Sequence, residues 1–300
     1  MKMNHFTLRN NAFKSLRSLL GRLDSYSGPS SLSSAVTPDP TSSTPSCALQ
    51  SKLLLAGHTL AYKYLGPAVP YQTALAIQQA TLAHRQSLAR HVPNVMYLVQ
   101  HDPPVYTAGR RIKGTDATEG ERLRKLGAQY FEIQRGGEVT FHGPGQIVGY
   151  PVVNLKELGI SVRCYVSLLE RGIIRLCKDH YGLDAGTSPH TGVWVGDNKI
   201  AALGVHVSRY VTMHGFALNV TTNLDWYKHI VPCGITDKGV TSIANELQKG
   251  RASPEDAGVS EEQVMPKLRQ AFASEWGVKW EKLEDAWPEW NEEVERMLKI

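Results

Sequence analysis

The chain has 300 residues, of which 42% are apolar, and this is enough to bury the core of an enzyme-sized globular protein. Its net charge of +5 comes from five basic residues that precede the first acidic one, Asp24. They are Lys2, Arg9, Lys14, Arg17 and Arg22. The other 28 basic residues balance the 28 acidic ones, so a nucleic-acid partner is not expected. No apolar run is long enough to span a bilayer.

The first 52 residues are expected to lie outside the folded body. Residues 1–24 are basic and carry apolar residues at spacings that can form one helical face, which is typical of a mitochondrial transit peptide. The alternative is a disordered basic tail. Residues 25–52 are rich in Ser, Pro and Thr, which predicts a disordered linker. We therefore expect a location in the mitochondrial matrix and a single folded domain over residues 53–300 that ends in a helical segment.

In chain order, the apolar pattern predicts a helix over residues 71–91 and a buried strand at Val95–Val99. It then predicts strands over residues 130–134, Val139–His142 and residues 147–154, followed by a helix over Val162–Tyr181. Short strands over residues 192–195, 199–207 and 216–220 follow, and then helices over Glu261–Trp276 and residues 287–298. Gly136 and Gly137 are expected to join two of the strands as a hairpin, and Asp197 and Asn198 to form the turn before Lys199. This order predicts an α+β fold with a mixed or antiparallel sheet flanked by helices.

Residues 135–146 contain four glycines and one proline around a short polar strand. Because glycine permits close approach of a ligand to the backbone, this stretch is expected to be shaped around something that it binds. His142 lies in it, and His214 precedes another glycine further on; either is a candidate base, or a side chain that bonds nearby backbone. Neither belongs to a close ligand spacing such as HExxH, so no metal is expected. The common phosphate-binding pattern of nucleotide-binding proteins is also absent.

Arg110, Arg111 and Lys113 form a local basic patch. One interpretation is a solvated loop. The other is a contact for an acidic protein or a phosphorylated carrier, since arginine binds phosphate and carboxylate groups well.

The four cysteines, Cys47, Cys164, Cys177 and Cys233, lack the spacing of a structural zinc site or a disulfide framework, so free thiols are expected. Cys233 differs from the others because Pro232 fixes the turn before it and Gly234 leaves room for a substrate. A thiol in this setting can attack a carbonyl carbon if its thiolate is stabilised. The alternative is a buried cysteine that acts as a small apolar residue.

Lys199 enters an apolar strand of small residues directly after a predicted turn. If its side chain points inward, partial desolvation would lower its pKa and a nearby thiolate would raise it. In either case Lys199 is a candidate proton carrier or counter-ion. The alternative is an exposed lysine at the edge of a hairpin.

Five motifs that occur in one order resemble those of the lipoyl (octanoyl) transferases, which move octanoyl from acyl carrier protein onto lipoyl domains. They are VQHDPPVYTAGRR at 99–111, RGGEVTFHGPGQ at 135–146, NKIAALG at 198–204, MHGFALNV at 213–220 and VPCGI at 231–235. The resemblance covers about residues 59–280. It implies a fold related to the catalytic domains of lipoate and biotin protein ligases.

The resemblance also implies roles for individual residues. Cys233 would be the nucleophile that accepts the acyl group, and Lys199 would lower the pKa of its thiol and transfer protons. His206 stands where many members have arginine, so an anion contact there would be weaker or pH-dependent. The expected acyl pocket is lined by Arg135, Gly136, Gly137, Glu138, Val139, Thr140, Phe141, His142, Ala202, Leu203, Gly204, Gly215, Phe216 and Ala217.

The implied reaction passes through an octanoyl thioester on Cys233 and ends on a lysine of a lipoyl domain. The expected acceptors are the lipoyl domains of 2-oxoacid dehydrogenase complexes and the glycine cleavage H protein. The expected enzyme is a monomer without a cofactor. Two alternatives stay open: an ATP-dependent lipoate or biotin ligase of the same architecture, and a carrier-binding scaffold without catalytic activity.

Overall fold

The computed structural model of the chain describes residues 55–87, 92–111, 117–230, 238–249 and 259–300. All of them belong to one unit, Pro45–Ile300. The predicted transit peptide and linker, Lys113 and Cys233 therefore lie outside the described residues.

The larger of two sheets runs through the centre of the described chain and has mixed strand directions. Its strands are β1 (Thr59–Tyr64), β2 (Val95–Val99), β6 (Gln146–Val152), β7 (Ala185–Gly186), β8 (Val193–Val195), β9 (Asn198–Ser208), β10 (Val211–Asn219), β11 (Gly239–Val240) and β12 (Lys279–Lys282). Their order is β12-β1-β2-β6-β10-β9-β8-β7, and β11 pairs with β9. β1 is parallel to β12 and to β2, and β11 is parallel to β9. The other pairs are antiparallel.

A smaller sheet contains β3 (Val105–Ala108), β4 (Gln129–Glu132) and β5 (Val139–His142), in the order β4-β3-β5. The helices of the described chain are α1 (Tyr71–Gln86), α2 (Ala117–Lys125), α3 (Val162–Tyr181), α4 (Ile243–Gln248), α5 (Glu261–Trp276), α6 (Leu283–Ala286), α7 (Pro288–Leu298) and a 3-10 helix at Leu224–His229. The predicted α+β fold with a mixed sheet and flanking helices is confirmed.

Both faces of the larger sheet are covered by helices, which explains the unbroken apolar run of β2. Met96 and Leu98 pack in the core that contains α3 and α5. Val95, Tyr97 and Val99 alternate with them and pack in the core that contains α1 and α7. We call these the α3 side and the α1 side of the sheet.

The helix at Val162–Tyr181 has the predicted bounds, because its two ends carry strong capping residues. The Ser161 side chain accepts a hydrogen bond from the backbone N–H of Cys164. Gly182 ends the helix in the left-handed region, at φ +63°. The predicted helix over residues 71–91 is wrong at its end, because α1 stops at Gln86 and Ser87 is extended.

The predicted hairpin through Gly136 and Gly137 is wrong, because β3 lies between the two strands. Thr107 of β3 pairs with Phe131 on one side and with Thr140 on the other. The two glycines therefore connect strands that do not pair with each other. The turn before Lys199 is shifted by one residue from its prediction, since Val195 pairs with Asn198 and leaves Gly196 and Asp197 in the turn.

β9 and β10 form one long hairpin, and β10 begins five residues before the predicted strand. Ser208 pairs with Val211, so the turn consists of Arg209 and Tyr210 alone. Both turn residues have positive φ, +46° and +68°. Tight hairpins favour this conformation, but glycine or asparagine usually supplies it.

Candidate active site

The edge of β9 that faces β8 is unpaired over part of its length. β8 pairs only as far as Ala201, and no other described strand continues along this edge. The loop at Gly136 and Gly137 covers it instead, and the backbone N–H of Gly136 donates to the oxygen of Val205 at 3.0 Å. A Cβ on Gly204 would lie 2.9 Å from the Gly136 oxygen, so glycine is required for this close approach.

Two cavities meet at this edge and share Gly137, Leu203 and Gly204. The inner cavity has about 440 Å³ of empty space and the outer cavity about 850 Å³, including space that opens to solvent. The rest of the inner lining is Tyr71, Ile133, Arg135, Thr140, His142, Val148, Tyr150, Ala202, His214, Gly215, Phe216 and Ala217. The rest of the outer lining is Arg111, Gly136, Val166, Pro189, His190, Thr191, Lys199 and Val205.

The sheet beneath the inner cavity carries small apolar side chains. Ala202, Ala217 and Val148 form one row across β9, β10 and β6, because Ala202 pairs with Ala217 and Ala217 pairs with Val148. Ala217 and Val148 belong to the α1 side of the sheet. Small residues leave space above the sheet, so this row suits an unbranched hydrocarbon chain.

Buried histidines lie at the end of the inner cavity that is formed by β6 and α1. The Nδ1–H of His101 donates to the Val69 carbonyl at 2.9 Å, so its Nε2 accepts from the Tyr150 hydroxyl at 2.8 Å. Burial lowers the pKa of His101 to about 4. His101 is therefore neutral at physiological pH and orients Tyr150.

His142 uses both ring nitrogens for hydrogen bonds within the protein. The side-chain nitrogen of Gln146 donates to Asn219, so the Gln146 oxygen accepts from Nδ1–H of His142 at 2.9 Å. The Nε2 of His142 then accepts from the Thr107 hydroxyl at 3.3 Å. Burial, with a smaller contribution from His101, lowers the pKa of His142 well below its usual range. His142 thus forms part of the cavity wall and is poorly suited to act as a base.

His214 also lines the inner cavity, and Arg135 lines it beside Gly204. Burial, together with the positive charge of Arg135, lowers the pKa of His214 to about 3. The Arg135 guanidinium is buried and donates to the backbone oxygen of Gly136 and the hydroxyl of Thr107, both at 2.9 Å. It therefore joins the Gly136–Gly137 loop to the smaller sheet.

Lys199 lies in the outer cavity and is 5% exposed. Its ammonium group is 4.8 Å from the centre of the Trp194 ring. A Cβ on Gly192 would lie 3.1 Å from Cε of Lys199, so this glycine makes room for the lysine side chain. Lys199 is thus a buried cation at a cavity, and the alternative of an exposed hairpin-edge lysine is wrong.

Most of the predicted pocket residues face one of the two cavities. Gly136 lines the outer one, and Glu138 lines neither. Val139 and Phe141 point to the other face of β5 and pack in a small core. The residues that line the inner cavity are Arg135, Gly137, Thr140, His142, Ala202, Leu203, Gly204, Gly215, Phe216 and Ala217. Tyr71, Ile133, Val148 and Tyr150 also line it, and no local motif singles them out from the sequence.

The Phe141 ring stacks on Trp226 with the ring centres 5.5 Å apart, and Trp226 lies in the 3-10 helix. Cys233 follows this helix in the chain and lies outside the described residues. The chain is described again from Lys238, and β11 then pairs with Asn198 and Lys199. The 3-10 helix before Cys233 thus packs on the small core, and the strand after Cys233 pairs with the strand that carries Lys199.

The two described cysteines are not suited to accept an acyl group. Cys177 is fully buried in the core on the α3 side, and burial raises the pKa of its thiol to about 12. Cys164 is disulfide-bonded, which corrects the prediction of a free thiol at this position; its partner lies outside the described residues. Cys164 is half-buried in the first turn of α3.

The described residues contain no group of three or more His, Cys, Asp or Glu side chains arranged to hold a metal ion. None of the described helices is long and apolar enough to cross a membrane.

The chain matches a known family over most of the described region. The model of the lipoyl protein ligase A/B catalytic domain matches residues 70–273. The mitochondrial octanoyl-[acyl-carrier-protein]:protein N-octanoyltransferase LIPT2 of Danio rerio is 45% identical over 208 residues, which are 69% of this chain and 88% of the relative. The mitochondrial octanoyltransferase LIP2 of Arabidopsis thaliana is 41% identical over 68% of this chain and 86% of its own length.

A solved structure shares the fold at low sequence identity. It is a bipartite lipoate protein ligase with its E2 lipoyl domain from Thermoplasma acidophilum, with a TM-score of 0.57 and 16% identity over 81% of this chain and 92% of that chain. The sequence matches show that the chain belongs to the lipoyl protein ligase A/B catalytic-domain family and, within it, to the octanoyltransferases.

Proposed function

We propose that the chain transfers an octanoyl group from octanoyl-acyl carrier protein to a lysine of a lipoyl domain, through a thioester on Cys233. The observation that carries this proposal is the junction of the two cavities at Gly204. On one side lies a buried cation, Lys199, and on the other lies the apolar row that includes Ala202 and Ala217. A reactive carbonyl beside Lys199 can thus be attached to a hydrocarbon chain in the inner cavity.

In the first step, the Cys233 thiolate attacks the carbonyl carbon of the octanoyl thioester. The new carbon–sulfur bond forms on Cys233, and the bond to the sulfur of the carrier's phosphopantetheine breaks. The positive charge of Lys199 stabilises the attacking thiolate, and its ammonium group donates a proton to the leaving thiolate. Backbone N–H groups near Gly204 or Gly234 are candidates for binding the oxyanion.

In the second step, the amine of the acceptor lysine attacks the octanoyl-Cys233 carbonyl. Lys199, which has given up its proton, takes one from the attacking amine, and the Cys233 thiolate leaves. An amide replaces a thioester, which is downhill in free energy, so the reaction needs no ATP.

The carrier is expected to contact the exposed arginines beside the outer cavity. The backbone N–H of Arg110 donates to the Arg135 oxygen, and that of Arg111 donates to the Gly137 oxygen. Arg111 also lines the outer cavity, whereas His206 lies beside Arg110 and has its pKa lowered by burial and by that charge. We infer that Arg111 binds the phosphate of the phosphopantetheine arm and that Arg110 attracts an acidic carrier surface.

The names of both relatives support a mitochondrial location for this chain. We propose that it works in the matrix as a monomer and that residues 1–24 direct it there. Its proposed acceptors are the lipoyl domains of 2-oxoacid dehydrogenase complexes and the glycine cleavage H protein. These acceptors present a lysine at the surface of a folded domain, which suits a site that opens through the outer cavity.

The test mixes the protein with octanoyl-acyl carrier protein and a lipoyl domain, without ATP and with a phosphine reductant because Cys164 is disulfide-bonded. We expect an octanoyl adduct on the enzyme and octanoyl-lysine on the lipoyl domain, both measured by intact mass. Cys233→Ser should form no thioester adduct, whereas Cys177→Ala should still form it. Transfer from free octanoate that depends on ATP would support a ligase instead. A thioester adduct that persists in Cys233→Ser would contradict the site assignment.

A further inference from the structure

We propose that the hydroxyl group of Tyr71 closes the inner cavity and limits the acyl chain to about eight carbons by rejecting further methylene groups. This inference rests on the proposed octanoyl transfer, because it concerns the specificity of the same cavity. It adds a residue that determines chain length to a pocket whose floor is the row of Ala202, Ala217 and Val148.

The position of Tyr71 relative to the cavity junction carries the first step. The junction lies at Gly204 on β9, whereas Tyr150 is on β6, and β10 lies between these two strands. Two strand spacings are about 10 Å, which is comparable to an extended eight-carbon chain. Tyr71 lies at the Tyr150 end of the cavity, because both tyrosines contact His101. The Tyr71 ring centre is 5.3 Å from the His101 ring centre, and the Tyr150 hydroxyl donates to Nε2 of His101.

The Tyr71 ring is held in place by its neighbours. Its centre is 5.1 Å from that of Phe131, and it lies parallel to the His142 ring within 8°, with 6.3 Å between centres. Tyr71 is also the first residue of α1, and it is 1% exposed. A ligand in the inner cavity therefore meets a fixed ring and not a side chain that can turn away.

The Tyr71 hydroxyl differs from the other polar groups around it. Tyr150 donates to His101, and His142 is bonded at both nitrogens. Among the described residues that line the inner cavity, Tyr71 carries the buried side-chain oxygen that has no hydrogen-bond partner. Tyr71 thus brings to the end of the cavity a buried hydroxyl group that has no hydrogen-bond partner among the described residues.

A methyl group and a hydroxyl group at the end of the acyl chain interact differently with Tyr71. A chain that ends before Tyr71 leaves its hydroxyl free to bond a small polar molecule, whereas a longer alkyl chain covers the hydroxyl without giving it a partner. An acyl chain of this longer length that ends in a hydroxyl group can instead form a hydrogen bond with the Tyr71 hydroxyl. Sites built to bond a hydroxyl reject the alkyl analogue, so we expect a preference of about tenfold.

The experiment compares donors of equal size on the wild-type protein. Carrier loaded with 8-hydroxyoctanoyl and carrier loaded with nonanoyl have acyl groups with the same number of non-hydrogen chain atoms. We expect kcat/KM for the hydroxylated donor to exceed that for nonanoyl by about tenfold. Equal values, or a preference for nonanoyl, would overturn the proposal without any variant.

Tyr71→Phe should remove this preference and raise the ratio of decanoyl to octanoyl transfer by about tenfold, since the phenyl ring keeps the packing and loses the hydroxyl. The matched control is Tyr165→Phe, which alters another fully buried tyrosine that packs on Trp276 outside the cavity and should keep the wild-type ratios. A folded Tyr71→Phe with wild-type ratios would refute the role of Tyr71. A wild type that transfers no octanoyl would instead contradict the proposed function.

Discussion

Trp194 and Lys199 pair across the β8–β9 hairpin, and the ammonium group of Lys199 lies 4.8 Å from the centre of the indole ring. A cation above an aromatic face is attracted by the electrons of the ring. The indole ring therefore helps to hold the Lys199 side chain in the outer cavity. A thiolate nucleophile is stabilised by a lysine that is held beside it.

Replacement of Lys199 by alanine should slow formation of the octanoyl enzyme by about 100-fold, because a proton carrier and a stabilising charge are lost together. The pKa of the reactive thiol should rise, so the rate should increase only at higher pH than in the wild type. Intact mass at timed intervals across a pH series measures both effects. Lys178→Ala, at an exposed position on α3, is the control. A Lys199→Ala rate equal to that of the wild type at every pH would remove the assigned role.

Replacement of Gly204 by alanine should narrow the junction of the two cavities. The added Cβ would lie 2.9 Å from the Gly136 oxygen and 3.0 Å from Cδ of Arg135, so the loop must move. We expect octanoyl transfer to fall at least tenfold and the free energy of unfolding to fall by about 1–2 kcal/mol. Gly186→Ala is the matched control, because a Cβ there meets nothing within 4 Å. Similar transfer rates for the two variants would contradict the importance of the junction.

Stability should fall as the pH falls below about 6.5, because buried histidines stay neutral in the folded state. Burial lowers the pKa of His101 to about 4 and that of His214 to about 3, from an ordinary value of 6.5. Below 6.5 the unfolded chain takes up protons that the folded chain does not, so the free energy of unfolding decreases until the folded pKa is reached. The expected slope is about 1.4 kcal/mol per pH unit for each histidine.

Urea unfolding between about pH 7 and pH 5 measures this slope, and His101→Gln should reduce it by the contribution of one histidine. Equal slopes in the wild type and the variant would show that His101 does not titrate differently in the two states.

The turn between β9 and β10 should be stabilised by residues that favour positive φ. Arg209 and Tyr210 adopt φ +46° and +68°, which costs free energy for residues with a Cβ. Changing the pair to Asn-Gly should raise the free energy of unfolding by about 1 kcal/mol. The gain is limited because the Lys156 ammonium, 5.7 Å from the Tyr210 ring centre, loses its aromatic partner. Thermal unfolding tests this, and a lower melting temperature would contradict it.

The sequence predicts correctly those strands and helices whose apolar pattern and capping residues lie within the element itself. The strand Val95–Val99 is an apolar run because helices cover both faces of the sheet, and Val162–Tyr181 has a serine cap and a terminal glycine. The hairpin through Gly136 and Gly137 failed for a different reason. The insertion of β3 between β4 and β5 depends on pairing with a distant segment, and no turn motif reports it.

In the candidate site, too, local motifs point to some residues, and others are placed only by packing between distant segments. Lys199 and the glycine-rich stretch at residues 135–146 were identified from motifs, and the structure brings several of those residues to one cavity. Tyr71 was missed because its position at the cavity end depends on α1 packing against three other elements. Val139 and Phe141 share the motif but face the small core, since successive side chains of a strand point to opposite sides.

The junction at the edge of β9 has a consequence for the order of events. Lys199 lines the outer cavity but not the inner one, and both proposed steps need it beside the reacting carbonyl. The donor carrier and the acceptor domain must therefore use the same opening at different times, while the hydrocarbon part stays on the far side of the strand. In the proposed reaction, the acyl carrier protein leaves before the lipoyl domain binds. Parallel lines in double-reciprocal plots of the two substrates are the kinetic sign of such a ping-pong sequence.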